Sequence, residues 1–260
     1  EAARAAYASL FRRMGYYGLL ARMRLQRLAP EVARELETEL RTAASARSSR
    51  APLSPSGLRS AARTARRLRD DEWASAMLEE LACDAEAGRR FEIAEVLVDL
   101  DDHAAAQRVL RPAVPAVLAE VGQPSVEAWR TAYSRPHFES VLAAARAAGI
   151  DPWLLLGLAR EESTFDAEII SWAGAVGLTQ LMPPTAIGAH AAVFRRPLPD
   201  LEALTDPTLN LRLGAHVLRE GFDRWGQAPL AISAYNAGSG LTSRFLRDAP
   251  QPLDRFVEGI

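Results

Sequence analysis

Helical spacing of apolar residues runs through about the first 45 residues of the chain. The segments AARAAYASLFRRM and YGLLARMRLQRL carry Leu, Tyr, Phe and Met three or four positions apart, with Arg on the opposite side. This pattern predicts amphipathic helices. The run SARSSRAPLSPSG, residues 45–57, interrupts the pattern with Ser, Pro and Gly, and is typical of a linker or long loop.

Residues 58–121 contain several short amphipathic segments and none that alternates like a strand. The segment DDEWASAMLEELACDAEAG begins with acidic residues that suit a helix N-terminus and reaches Gly88, a suitable helix stop. Short helices with short connectors are typical of helix pairs stacked as a solenoid, although the chain shows no clean repeat period. Residues 1–125 are therefore predicted to form an α-superhelical, solenoid-like region.

The pattern changes between residues 123 and 135. Beyond this interval Pro becomes regular, glycines cluster, and three of the five Trp lie past residue 150. We place a domain boundary here, so that residues 126–260 form a second domain. The predicted fold class is mainly α throughout.

A helix in the second domain carries a candidate catalytic carboxylate. Asp151 is an acceptable N-cap, and Pro152 suits the first helical position. At about 100° per residue, Glu162 falls within the apolar stripe formed by Leu155 and Leu158. The stripe is predicted to continue to Phe165, one turn further along.

Two adjacent glutamates end this helix, and the spacing distinguishes them. Glu161 falls at the margin of the apolar stripe, so Glu162 is predicted to point inward. A carboxylate in apolar surroundings has a raised pKa and can keep its proton near neutral pH, as a general acid must. The alternative is structural, because buried carboxylates also cap helices or pair with Arg.

Two later segments place amides and an aromatic ring beside flexible turns. GAVGLTQLMPPTA offers two glycines, Gly174 and Gly177, for a tight turn and close backbone approach, and LAISAYNAGSG ends an apolar helix before two more glycines. Such groups suit a sugar, which has apolar faces and hydroxyl edges. The blander interpretation is a solvated loop and a helix C-cap. The candidate sugar-binding side chains here are Gln180, Met182, Tyr235 and Asn236.

Composition and charge exclude several function classes. The formal net charge is −2, so we expect no whole-protein affinity for nucleic acid or anionic membrane. All 31 basic residues are Arg, a bias to which we assign no function. No apolar run is long enough to span a bilayer. The four histidines and the single cysteine, Cys83, show no metal-ligand spacing, and no cofactor is expected. The chain lacks a start Met and a signal peptide, and is interpreted as an internal or processed fragment.

Four motifs, in this order, carry a resemblance to a known family. They are SRPHFESVLAAARAAGIDPWLLLGLAREES, GAVGLTQLMPPTA, DPTLNLRLGAHVL and AISAYNAG. Residues 135–258 resemble the catalytic domain of the soluble lytic transglycosylases, glycoside hydrolase family 23, which has a goose-lysozyme-like, mostly helical fold. The N-terminal half is similar, much more loosely, to the α-superhelical region that precedes this domain in the large members, with MGYYGLLARMRLQRLAP as its most similar stretch.

The resemblance implies roles for individual residues. Glu162 would be the catalytic acid, in agreement with its helical position, and Tyr235 a cleft tyrosine near it. Asn236 would support the loop, with a sugar contact left open. The other implied substrate-binding positions are Ser171, Gln180 and Met182.

The resemblance also implies an activity. The family cleaves the β-1,4 bond between N-acetylmuramic acid and N-acetylglucosamine in peptidoglycan and forms a 1,6-anhydromuramic product, using one Glu as acid and then base. It needs no metal or cofactor and acts in the periplasm on glycan strands; protein partners stay open. Two alternatives are retained: a goose-type lysozyme, with Asp166 or Glu168 nearest as a second carboxylate, and a catalytically inactive helical scaffold or peptidoglycan-binding protein.

Two departures from the family pattern stand out. Thr179 occupies a position where many members carry Met, a change expected to be tolerated at a subsite rim. The family also continues past Phe-Val-Glu with a Pro-containing segment and a Glu-Thr-Arg motif, whereas this sequence stops at FVEGI. The catalytic domain is therefore expected to be C-terminally incomplete.

Overall fold

The computed structural model describes residues 2–11, 16–47, 71–85, 87–114 and 126–248. Within these ranges the regular elements are helices, and backbone pairing outside them consists of two isolated antiparallel bridges. The mainly α fold predicted from the spacing is confirmed. The chain divides into two compact units, Glu1–Ser134 and Arg135–Ile260, and the division falls inside the interval where the sequence pattern changes.

The first unit is a series of helices that pack on their neighbours in sequence. The seven helices of its described part are α1 (Ala2–Leu10), α2 (Tyr16–Leu28), α3 (Pro30–Arg47), α4 (Asp71–Ala82), α5 (Ala87–Asp99), α6 (His103–Leu110) and α7 (Val126–Ala132). Helix α1 contacts α2, α2 contacts α3, and α5 contacts both α4 and α6. This pairing of consecutive helices is typical of a solenoid.

The structure bears on the linker and on the helix stop that were predicted for this unit. Of the predicted linker, residues 45–47 belong to α3, and residues 48–57 lie outside the described residues. The predicted helix stop at Gly88 is wrong, because α4 ends at Ala82 and Gly88 lies in the first turn of α5. The physical reason is Arg90, whose guanidinium donates to the carbonyls of Cys83, at 2.8 Å, and Ala85, at 2.9 Å. A side chain, and not a glycine, closes this connection.

The first unit holds two separate apolar cores in its described part. One lies among α1, α2 and α3 and includes Phe11 and Leu25, and the other lies among α4, α5 and α6 and includes Leu78 and Leu97. Cys83, the one cysteine of the sequence, is exposed just after α4. Across the described ranges, no helix combines the length and the apolar character needed to cross a membrane.

The second unit is arranged around one long helix. Its described helices are α8 (Phe138–Ala148), α9 (Pro152–Ser163), α10 (Pro183–Phe194), α11 (Pro207–Trp225), α12 (Ala228–Ala237) and α13 (Ser239–Asp248). Helix α11 contacts α8, α9, α10, α12 and a short 3₁₀ helix, Glu202–Thr205. It therefore forms the axis against which these elements are placed.

Helix α9 begins as predicted and ends earlier than its apolar face suggests. The Asp151 carboxylate accepts a hydrogen bond from the Trp153 amide at 2.8 Å, and Pro152 occupies the first helical position. At the other end, Thr164 and Phe165 have φ of 53° and 70°, so the left-handed backbone stops the helix. Phe165 is buried, but it reaches the core from beyond the helix and not from the helix itself.

Two apolar clusters flank α11 and fix the elements of the candidate site. Leu155 and Leu158 of α9 pack in the first cluster, together with Leu211 of α11. Leu181, just before α10, packs in the second cluster. Tyr235 of α12 is half-buried against both clusters. The end of α9, the loop before α10 and the end of α12 are consequently held together around α11.

Candidate active site

The two glutamates at the end of α9 have different surroundings. Glu162 is half-buried, whereas the side chain of Glu161 is 63% exposed and its carboxylate lies 3.6 Å from Arg160 Nη1. This is the order of burial that the helical spacing predicts. Glu162 is thus the carboxyl group that faces the interior of the second unit.

The environment of Glu162 favours its protonated form. Burial raises the pKa of the Glu162 carboxyl above its ordinary value, and the negative charge of Glu161 raises it further, while the hydrogen-bonding amide of Asn236 lowers it in part. Burial is the largest of these effects, because a partly dehydrated carboxylate is less stable than the neutral acid. A carboxyl group in this state can deliver a proton.

Tyr235 ties the end of α12 to the loop that precedes α10. Its hydroxyl donates to the backbone carbonyl of Thr179 at 2.7 Å. Burial raises the pKa of Tyr235 above its ordinary value, and the neighbouring charge of Glu162 adds to the rise, although the bond to Thr179 opposes it. Tyr235 therefore remains a neutral donor that fixes the loop beside the carboxyl group.

Gln180 and Met182 lie on the same loop, just after Thr179. Gln180 has a φ of 45°, and its side-chain amide donates to the carbonyls of Gly177, at 2.9 Å, and Ile169, at 3.3 Å. Its amide nitrogen thus holds the loop, a task that the sequence did not reveal. Met182 stands before α10 with its side chain exposed, as a residue of an open surface would.

Ser171 also has a structural task. Its hydroxyl oxygen accepts from the Ala175 amide at 3.0 Å, and its own amide donates to the Ala175 carbonyl at 2.9 Å. Gly174, with a φ of 84°, completes this turn. The hydroxyl of Ser171 still has a hydrogen of its own to donate. The structure shows no hydrogen bond between Ser171 and the Glu162 carboxyl group.

The sequence placed Thr179 at the rim of a subsite, and this prediction is wrong. Thr179 is fully buried. The reason is Asn210 on α11, which is also fully buried and whose Oδ1 accepts from the amide of Thr179, at 2.8 Å, and from its hydroxyl, at 2.7 Å. The Asn210 amide nitrogen donates to the carbonyls of Val176, at 3.0 Å, and Leu204, at 2.9 Å. Asn210, near the start of α11, therefore anchors the loop before α10.

Two glycines make this anchorage possible. Gly177 has a φ of 77°, and a Cβ there would lie 2.5 Å from the Leu204 carbonyl and would press on the Asn210 side chain. At Gly214, within α11, a Cβ would lie 2.8 Å from the Cβ of Thr179. A glycine inside a helix is a signal for such close approach, and this one was available in the sequence as LRLGAHV.

The other carboxylates after α9 are engaged elsewhere or exposed. Asp166 accepts a hydrogen bond from the amide of Glu168 at 3.0 Å, which closes a local turn, and Glu168 is exposed. No set of three or more His, Cys, Asp or Glu side chains in the described ranges is arranged to hold a metal ion. The site therefore presents one protonatable carboxyl, Glu162, with Asn236 and Tyr235 beside it.

Comparison with known families finds a match for most of the second unit. The transglycosylase SLT domain family matches residues 139–255. Sequence relatives match the same half of the chain. A transglycosylase of Enterobacteria phage PRD1 is 36% identical over 104 residues, which are 39% of this chain and 35% of the relative.

Bacterial relatives match to a similar extent. A membrane-bound lytic murein transglycosylase C of Actinobacillus succinogenes is 34% identical over 129 residues, 45% of this chain and 35% of the relative. A soluble lytic murein transglycosylase of Salmonella typhimurium is 33% identical over 111 residues, 40% of this chain and 17% of the relative. The chain spans only about a third of the length of the first curated relatives it matches.

Solved structures extend the likeness to the fold of nearly the whole chain. The lytic transglycosylase Slt of Pseudomonas aeruginosa, determined as an inactive glutamate-to-glutamine mutant, has a TM-score of 0.75 and 24% identity, covering 98% of this chain and 39% of its own. The 70 kDa soluble lytic transglycosylase of Escherichia coli has a TM-score of 0.69 and 20% identity, covering 94% and 37%. At this level of identity the solved structures show a shared fold, and the match to the transglycosylase SLT domain family covers residues 139–255.

Proposed function

We propose that this protein is a peptidoglycan lytic transglycosylase in which Glu162 is the single catalytic acid and base. The observation that carries the proposal is a half-buried carboxyl group with a raised pKa, flanked by Asn236 and Tyr235. The match to the SLT domain and the murein transglycosylases among the relatives support the same activity.

The mechanism needs only one carboxyl group. Protonated Glu162 donates its proton to the glycosidic oxygen between N-acetylmuramic acid and N-acetylglucosamine, and the bond from C1 to that oxygen breaks. The C6 hydroxyl of the same muramic residue then attacks C1, and its proton passes to the Glu162 carboxylate, which restores the acid. The product is a 1,6-anhydro sugar. Intramolecular attack has the proximity advantage that free water lacks.

Asn236 and Tyr235 would hold the carboxyl group and the cleft in position, and Ser171, Gln180 and Met182 would contribute to the sugar-binding surface. Hydrolysis, the first alternative, would need a second positioned carboxylate. Asp166 is committed to a local turn, which disfavours it in that role. An inert scaffold, the second alternative, would have no use for a carboxyl group with a raised pKa at this position.

The substrate sets the location and the partner. Peptidoglycan lies outside the cytoplasmic membrane, so we place the protein in the periplasm with glycan strands as its binding partner. The near-neutral charge supports neither nucleic acid nor anionic lipid as a target.

The test is mass spectrometry of the soluble products released from purified peptidoglycan. We expect 1,6-anhydromuramic ends from the protein, a loss of roughly 100-fold or more in rate for Glu162→Gln, and nearly unchanged activity for Glu161→Gln, a matched control on the exposed neighbour. Reducing ends would instead identify a hydrolase. Retained activity in Glu162→Gln would contradict the assigned role.

A further inference from the structure

Trp172 is a fully exposed indole on a tightly held turn. Its exposure is 100%, and the adjacent Ile170 is 64% exposed. The turn is closed by the paired hydrogen bonds between Ser171 and Ala175, and Ile170 forms a bridge with Val176. Trp172 thus continues a run of exposed apolar side chains that includes Ile169 and Ile170, and contiguous exposed apolar surface on a fixed turn is a feature of binding sites.

The turn that carries Trp172 is joined to the candidate active site by hydrogen bonds. The carbonyl of Ile169 accepts from the amide of Gly177, at 3.0 Å, and from the side chain of Gln180, at 3.3 Å. Between Gly177 and Gln180, the backbone carbonyl of Thr179 accepts a hydrogen bond from the Tyr235 hydroxyl. Trp172 follows Ile169 by three positions in the sequence, so their Cα atoms are at most about 11 Å apart. The turn of Trp172 is therefore tied, within this distance, to the loop that carries Gln180.

The charges around the turn favour a neutral, hydroxyl-bearing ligand over a membrane. The sequence contains no basic side chain other than His190 between Arg160 and Arg195, while Asp166 and Glu168 are acidic. Proteins that insert Trp into a lipid surface usually flank it with Lys or Arg. A pyranose ring, in contrast, offers a face of C–H groups that packs on an indole, and it requires no countercharge.

We propose that Trp172 is a specificity-determining residue that forms an additional sugar subsite, in which its indole stacks on an N-acetylated sugar ring of the glycan strand. The subsite lies outside the position of bond cleavage, and the inference rests on the proposed function. Because the contact is the same in the bound substrate and in the transition state, it affects substrate binding and not the chemical step.

The test compares Trp172→Ala and Trp172→Phe with the unmodified protein on soluble, peptide-free glycan strands. We expect KM to rise about tenfold for Trp172→Ala with kcat unchanged, and to rise much less for Trp172→Phe, which retains a flat ring. Trp153→Phe is the matched control, since Trp153 is half-exposed at the opposite end of α9 from Glu162, and its KM should not change. An unchanged KM in Trp172→Ala, with the same melting temperature as the unmodified protein, would overturn the subsite.

A second readout separates this inference from the proposed activity. In the Glu162→Gln background, titration with N-acetylglucosamine oligosaccharides should change the tryptophan fluorescence, and Trp172→Phe should remove that change. If the protein releases no glycan product but the fluorescence change remains, the proposed function fails and the sugar subsite stands. No difference between the two titrations would refute the subsite. The subsite would also be refuted if Trp172→Ala lost binding to phospholipid vesicles while its KM and kcat on glycan strands were unaltered.

Discussion

At the scale of single residues, the position of Glu162 has a cost for the folded protein. A carboxyl group whose pKa is raised on folding binds its proton more tightly in the native state than in the unfolded chain. Stability therefore falls as pH rises from the ordinary carboxyl pKa of about 4.5 through the raised value, and the full loss is present above both.

This gives a prediction for Glu162→Gln, which carries no charge at any pH. The variant should melt at a higher temperature than the unmodified protein at neutral pH, by on the order of 1–2 °C because the side chain keeps part of its water. The difference should narrow as pH falls below about 4.5. Scanning calorimetry across this range is the measurement, with Glu161→Gln as a control that should show much less change. A lower melting temperature for Glu162→Gln at neutral pH would contradict the prediction.

The sequence was informative about Glu162 and uninformative about Thr179. Helical periodicity alone placed Glu162 inside an apolar stripe, since one helix fixes the relation of Glu162 to Leu155 and Leu158. The burial of Thr179 depends on Asn210, 31 residues further on. No local pattern encodes a hydrogen bond between segments so far apart, and for this reason the threonine was misplaced at a rim.

At the scale of elements, a single amide joins the loop before α10 to α11. Asn210 is fully buried and makes hydrogen bonds with Thr179, Val176 and Leu204. Replacement of Asn210 by Ala leaves buried donors and acceptors without partners, and each such group carries a desolvation penalty. The loop carries the carbonyl that receives Tyr235, so its displacement should also reach the candidate active site.

We therefore expect Asn210→Ala to lower the free energy of unfolding by about 3 kcal/mol or more. Asn236→Ala, which removes an exposed amide of the same type, should change it by less than about 1 kcal/mol. Urea denaturation followed by circular dichroism measures both. Equal losses in the two variants would show that the buried hydrogen bonds do not anchor the loop.

The starts of helices were predicted better than their ends. Asp151 and Pro152 act within one turn, so their effect on α9 can be recognised locally. The ends depended on other contacts: Arg90 closed the connection after α4, and two left-handed residues, Thr164 and Phe165, stopped α9. A side chain and backbone angles ended the helices at these places, and the spacing of apolar residues does not predict either of them.

At the scale of the whole molecule, the two units have separate apolar cores, among them the cluster around Leu97 in the first unit and the cluster around Leu211 in the second. Both leucines are fully buried, so replacement by Ala should cost about 3 kcal/mol in the unit that contains it. We expect Leu97→Ala to lower the stability of the first unit and Leu211→Ala that of the second. Calorimetry resolves the transitions, and an identical melting profile for the two variants would argue that the chain unfolds as one unit.

The mainly α fold could be predicted from the sequence because both halves contain many segments with apolar residues at helical spacing. The resemblance of the second half depended on four motifs in a fixed order, and residues 139–255 match the transglycosylase SLT domain family. The division between Ser134 and Arg135 follows from which residues pack together in each unit, a property of the folded chain. Local composition could only place it within an interval of about a dozen residues.

The exposed Cys83 has a practical consequence when combined with the composition. It is the one thiol of the sequence, which also contains no lysine. A maleimide dye or a surface linker would therefore attach at one defined position in the first unit, and the second unit, with Glu162 and Trp172, would stay chemically untouched. Immobilised molecules could then be observed one at a time on glycan without any engineered residue.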